Sequence, residues 1–289
     1  MSREDIIKNW EIGPDNVDLA KIQNYTQKIL QNENPYTKLI DNISFPSEYD
    51  LVNMSSILNV RPELKTKTYA AEIAWAEFWH YIAQTYYFEV LGFQIIGDTL
   101  AHARDLTHIH NLASQSIDEA RHIQVYSKLL QNLPLSIKPA LCLPRIHKKI
   151  ISESTLEEKI IKGFLVLEGL AIGLFAARSK TYGASGLSAL DRAILTEETE
   201  HQISASEITA DLVRARRVTL RDVIECMRDG TAELTSDLLP VPIVERFGID
   251  LDDKKIEMLK RTGIVGLQAN VSKANLKKIL KSCASLKVV

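Results

Sequence analysis

The chain has 289 residues, of which 45% are apolar and 25% charged, with a formal net charge of −2. That is the composition of an ordinary globular protein, and the near-zero charge supplies no field that would draw nucleic acid. Cys142, Cys226 and Cys283 stand far apart without CxxC spacing, which argues against a disulfide framework or zinc knuckle and fits a reducing cytoplasm.

The opening residues, Met1 to Lys8, lack the apolar stretch of a secretory signal, so a cytoplasmic protein is expected. Two short helical stretches follow, with a loop holding Pro35, Pro46 and Pro62. The first long helix is predicted from about residue 67 into the late 90s, a segment without proline and with no glycine before Gly92. A second is predicted from Asp105, as N-cap, to about Asn132, where Leu133-Pro134 stops it. A third spans roughly Thr155 to Tyr182, opened by an acid-rich capping sequence and closed near Gly183. Its apolar run, residues 163–177, carries Glu168 in the middle and falls short of the ~18–20 uninterrupted apolar residues of a membrane span. The fourth is predicted from about Leu187 to Arg217, and shorter helices follow, broken by Pro240, Pro242 and Gly248. Without a low-complexity linker the chain reads as one all-α domain, residues 1–289. Its core of four long antiparallel helices covers about residues 66–217, with additional N- and C-terminal helices.

Two of the long helices contain Glu-x-x-His: Glu119-Ala-Arg-His122 and Glu198-Thr-Glu-His201. Three residues of α-helix turn through ~300°, so each Glu and His share a face and can reach one metal ion. One such motif arises often by chance; the two here belong to a repeat. Thirty residues separate Glu89 from Glu119, and thirty separate Glu168 from Glu198. A shift of 79 carries Glu89, Glu119 and His122 onto Glu168, Glu198 and His201. In an antiparallel hairpin, residues equidistant from the turn lie level. The midpoint of Glu168 and Glu198 is Gly183, in the predicted turn, and that of Glu89 and Glu119 is Arg104. All six side chains are therefore expected at one level.

Four buried carboxylates at one level would repel one another and resist desolvation. Two divalent cations remove both difficulties, since four carboxylates and two M²⁺ sum to zero. Carboxylates mixed with imidazoles suit iron or manganese better than structural zinc.

This pattern, Glu…Glu-x-x-His twice over, resembles the ferritin-like di-iron carboxylate superfamily across roughly residues 70–217. Gln115-Ser-Ile-Asp-Glu119-Ala-Arg-His122-Ile-Gln124 is most similar to the hydroxylase subunits of bacterial multicomponent monooxygenases. The resemblance implies a ferritin-like four-helix bundle and two iron ions, or a manganese–iron pair. Glu89, Glu119 and His122 would hold one ion and Glu168, Glu198 and His201 the other, with some glutamates bridging. It implies an oxygenase that takes O₂ as co-substrate, oxidises a small organic or carrier-tethered substrate, and draws electrons from a ferredoxin or reductase. Asp118 and Glu197 stand where an acid orients a ligand histidine, and Arg121 is placed to neutralise such an acid. Tyr126 stands at the radical tyrosine position of ribonucleotide reductase small subunits and is read here as a hydrogen-bonding residue. Ile172 occupies a position that is often threonine in the hydroxylases, and Gly169, Ala171 and Gly173 leave room beside Glu168 for substrate or dioxygen. Other members of the superfamily are ferroxidases, iron-storage proteins and radical-generating subunits, which are the alternative functions. A homodimer is compatible with this reading; nucleic acid and membrane are not expected as partners.

Glu72, Glu77 and His80 are rival ligands on the first helix. Were Gly97-Asp98 the turn, Glu77 would lie level with Glu119; the 79-residue repeat favours Glu89. His102, His108 and His110 read as surface or loop residues. From Lys254 to the last residue there are nine Lys/Arg against the single acid Glu257, which reads as the solvated face of a terminal amphipathic helix or a dock for an acidic partner.

Overall fold

The computed structural model describes residues 35–41, 43–103, 106–131, 142–183, 185–236, 240–261 and 277. Among them every regular element is a helix and no strand occurs. Three short helices, α1 (Thr37–Asp41), α2 (Glu48–Met54) and α3 (Ser56–Val60), precede a 3₁₀ turn at Pro62–Thr66. Then come the long helices α4 (Ala70–His102) and α5 (Leu106–Leu130), and the shorter α6 (Cys142–Glu153). The next long helix, α7, runs Leu156–Thr181, followed by α8 (Gly186–Arg214), α9 (Leu220–Ser236), α10 (Val241–Arg246) and α11 (Asp253–Arg261).

α4 is buried on most of its circumference, with Ile73, Ile82, Leu91, Ile95 and Ile96 all within 1% of full burial. Each such side chain is worth roughly 1.5–3 kcal/mol of transfer free energy, which makes this helix the axis on which the others pack. α4 pairs lengthwise with α5, and α7 with α8. The turn between α7 and α8 is local chemistry: Gly183 takes φ +58, and Ser185 caps α8 by accepting from Ser188 N at 3.2 Å. Gly186 is required by close approach, because a Cβ there would stand 2.6 Å from the backbone nitrogen of Ser44. Its own N–H donates to Ser44 Oγ at 2.7 Å, tying the segment before α2 to this turn.

α7 departs from the uniform helix expected. It begins with the predicted cap, where Thr155 and Glu158 form a reciprocal capping box. From Ile160 to Leu167 the backbone is π-helical, and α-helix resumes at Glu168. A π segment widens the helix and removes the i, i+4 spacing on which the prediction rested. Within it, Gly163 packs so near α4 that a Cβ would meet Ile95 Cγ2 at 2.6 Å. By length and composition α7 could cross a membrane, but 83% of its most apolar window is buried inside the protein, as in a core helix.

α4 continues without a break through Gly97 and Asp98 to His102. The alternative turn that would have raised Glu77 to the level of Glu119 does not form. The expected cap Asp105, the stop at Leu133-Pro134 and the basic C-terminal segment after Arg261, apart from the exposed Lys277, lie outside the described residues; the start of that segment, Lys254–Arg261, is part of α11.

Candidate metal centre

α4, α5, α7 and α8 each deliver one glutamate to a common point in the interior. Glu89, Glu119, Glu168 and Glu198 are 5%, 2%, 5% and 1% exposed, and His122 and His201 are 0% and 4%. Potential ligand atoms of Glu89, Glu119, His122 and Glu198 all lie within 4.8 Å of one another, as do those of Glu119, Glu168, Glu198 and His201. The six side chains singled out by the repeat thus form two overlapping groups that share Glu119 and Glu198.

Each histidine presents Nδ1 to the carboxylates and Nε2 outward. His122 Nδ1 lies 3.2 Å from Glu89 Oε2, 3.2 Å from Glu198 Oε1 and 3.9 Å from Glu119 Oε2. His201 Nδ1 lies 3.5 Å from Glu119 Oε1 and 3.9 Å from both Glu168 Oε2 and Glu198 Oε2. On the outer side His122 Nε2 is 2.9 Å from Glu197 Oε2, and His201 Nε2 is 3.3 Å from Asp118 Oδ2. The buttressing is crossed: the acid before Glu198 holds the histidine of α5, and the acid before Glu119 holds that of α8. A proton kept on Nε2 by these acids leaves the Nδ1 lone pair facing inward.

The electrostatics are those of a cation site in which protons stand in for cations. Burial, then Glu119, pushes the Glu89 carboxyl well above the usual range. Burial, then Glu198, does the same to Glu168, while Glu198 is held low by Glu168 and His122 despite its burial. Burial opposes charge on His201, yet contacts with Asp118 and Glu119 raise it to about 10. His122 likewise rises well above an ordinary imidazole through Glu89, Glu197 and Glu198. Both Glu198 oxygens and His201 Nδ1 are buried without a well-formed hydrogen bond. Inward-facing lone pairs left unsatisfied in a dry interior are what a metal ion would satisfy, so the donor set fits a pair of divalent cations.

The rival ligands are elsewhere. Glu77 accepts from Ser55 Oγ at 2.5 Å, from Ser56 N at 3.1 Å, from Ser56 Oγ and from Ile57 N at 3.3 Å, and so ties α3 to α4. His80 is 2% exposed with neither ring nitrogen partnered, and burial lowers its pKa to about 4. Glu72, His102 and His110 are exposed and His108 is partly buried, none of them in the cluster. Ile172, Gly169 and Gly173 are buried on α7 and Ala171 partly so. Cys226 is a buried free thiol on α9 and belongs to neither group.

Arg121 pairs with Asp118 at 2.9 Å. Tyr126 is fully buried, where its hydroxyl accepts from Arg178 Nη2 at 2.6 Å and reaches Asp191 Oδ1 at 3.4 Å. Arg178 is itself fully buried; it binds Asp191 through two nitrogens and Thr85 through a third. Sequence reasoning passed over Arg178 and Asp191, which pair across the α7–α8 hairpin although they stand five residues before Gly183 and eight after it. It also missed Tyr36, whose hydroxyl donates to Glu197 from 161 residues away. No local signal marks that contact.

The fold and the cluster together are those of a helical protein with a buried glutamate–histidine site able to hold metal. No protein-family model matches the chain, and comparison with curated proteins and with solved structures finds no significant match.

Proposed function

We propose that this chain is a ferritin-like di-iron protein that activates dioxygen to oxidise a small organic or carrier-tethered substrate. The observation that carries the reading is the sharing of Glu119 and Glu198 between two four-residue groups, each completed by its own glutamate and histidine. Four carboxylates balance two divalent cations, two imidazoles complete the donors, and no thiolate is present; that set favours iron or manganese. Bound there, the metal pair would supply two-electron reduction of dioxygen, with electrons replenished by a ferredoxin- or flavoprotein-type donor.

The chain's own residues do the rest. Glu119 and Glu198 would bridge, Glu89 and His122 would hold one ion, and Glu168 and His201 the other. Glu197 and Asp118 fix the imidazole tautomers. The apolar walls of α4 and α7 exclude water from the carboxylates, and the small residues Gly169, Ala171 and Gly173 that follow Glu168 on α7 would border a substrate bound next to it.

Anaerobic loading with Fe(II), metal analysis, Mössbauer spectroscopy and oxygen uptake test the proposal together. About two irons per chain are expected, with oxygen consumed on exposure. Glu198→Ala and His201→Ala should each lower metal content markedly. Full metal and activity in those variants would refute the site, whereas a shell-sized assembly on size exclusion would replace the oxygenase with iron storage.

A further inference from the structure

The 79-residue correspondence fails at one charged position beside the cluster. Arg121, next to His122, has Glu200 as its counterpart next to His201. Arg121 leans on Asp118 at 2.9 Å, and the other oxygen of Asp118 faces His201 Nε2 at 3.3 Å. Glu200 is exposed, and on that side the acid Glu197 takes the neutral hydroxyl of Tyr36 together with His122 Nε2 at 2.9 Å. Among the described residues, His122 is the one cationic group paired with Glu197. The two histidines are therefore buttressed differently: His122 by an uncompensated carboxylate, His201 by one already neutralised by a guanidinium.

Resting on the dinuclear reading above, we infer that the two metal subsites are inequivalent, and that the one built on Glu89 and His122 binds a divalent cation more tightly than the one built on Glu168 and His201. The bridging glutamates are common to both, so they cancel in the comparison. What remains is Glu89, His122 and Glu197 against Glu168, His201, Asp118 and Arg121, a difference of one unit of charge. A carboxylate on the outer nitrogen of a ligand histidine strengthens the inner nitrogen as a donor, and a cation on that carboxylate weakens the effect. Arg121 also repels an incoming cation directly, across an interior where salt screens little. Arg178, a buried cation that also faces the interior, is paired with Asp191 and adds no net charge to either side.

Two cations in one site repel, so successive loading alone would not reveal the difference; single-histidine variants do. The probe is Co(II), added to the metal-free full chain and followed by visible absorption and calorimetry, with circular dichroism to verify folding. His201→Ala retains the tighter subsite and His122→Ala the weaker. The dissociation constants are expected to differ on the order of tenfold to a hundredfold, the usual size of effects from residues that buttress ligands. Arg121→Gln removes no ligand: it should tighten the second step of the otherwise intact chain, leave the first nearly unchanged, and close the gap when combined with His122→Ala. Arg121→Lys should restore the wild-type gap. Equal constants in the two histidine variants, a reversed order, or indifference to Arg121→Gln would overturn the inference while leaving the dinuclear site intact. Failure of the wild-type chain to bind Co(II) at all would overturn the site itself.

Discussion

Glu77 and Glu89 lie on one helix, both buried, and their surroundings set them opposite tasks. Glu77 has four donors from Ser55, Ser56 and Ile57, so its charge is satisfied by the protein. Glu89 has other carboxylates for neighbours and calls for a cation. Glu77→Ala strands those donors and should cost on the order of 1–3 kcal/mol in denaturant unfolding, with metal binding kept. Glu89→Ala should abolish loading of its subsite at little cost to the metal-free fold. Finding the two phenotypes exchanged would mean that the wrong acid has been placed at the centre. The same crowding makes the metal-free fold pH-sensitive. His201 rises from 6.5 to about 10 on folding, so the stabilisation it lends is complete below 6.5 and lost as pH climbs through about 10. Glu89 and Glu168, also raised, act in the same sense, because the folded state keeps protons that the unfolded chain has released. The melting temperature of chelator-treated protein should therefore fall between pH 6.5 and 10, and that of the loaded protein should fall less. A rise over that window in the metal-free protein would contradict the electrostatic account.

At the scale of elements, the start of α7 and the turn between α7 and α8 behave as their sequences lead one to expect. Thr155 and Ser185 are caps, and Gly183 lies in the turn. The C-terminus of α8 is an exception. Arg216 takes φ 57, which non-glycine residues adopt at a cost, while Arg217 N reaches back to Leu212 O at 3.0 Å as in a Schellman closure. Arg216→Gly should stabilise the protein by up to ~1 kcal/mol, partly offset by the greater freedom of glycine in the unfolded chain. Thermal unfolding would show it, and a clear loss of stability would mean that the arginine side chain contributes more than its backbone strain costs. The π segment of α7 is the larger surprise. Apolar periodicity cannot distinguish α from π winding in a stretch where nearly every residue is buried, as from Ile160 to Leu167.

For the molecule as a whole, four buried carboxylates trade stability for a function. The metal-free fold must keep protons on groups that would otherwise ionise; a pair of cations lifts that burden. Ions that bind the folded chain and not the unfolded one stabilise it by mass action, about 2.7 kcal/mol for one site at a hundredfold excess over Kd. Iron(II) or Co(II) should thus raise the melting temperature in a concentration-dependent way, and the double variant Glu119→Ala, Glu198→Ala should lose the response. A response preserved in that variant would place the stabilising ion somewhere other than this cluster.

Helical class, the approximate extent of the four long helices and the six clustered residues were all legible in the sequence. The reason is that each follows from a local period or from a repeat: spacing three on a helix fixes a shared face, and equidistance from a turn fixes a shared level. The repeat favoured Glu89 over Glu77, and the unbroken passage of α4 through Gly97 and Asp98 agrees with it; glycine permits a turn without compelling one. The crossed buttressing of the histidines, the contact from Tyr36 and the burial of Arg178 against Asp191 were decided by packing. No periodic rule selects these partners: the approach of α5 to α8, and of α1 to both, brings the histidines, their acids and Tyr36 within reach, and the packing of α7 on α8 does so for Arg178 and Asp191.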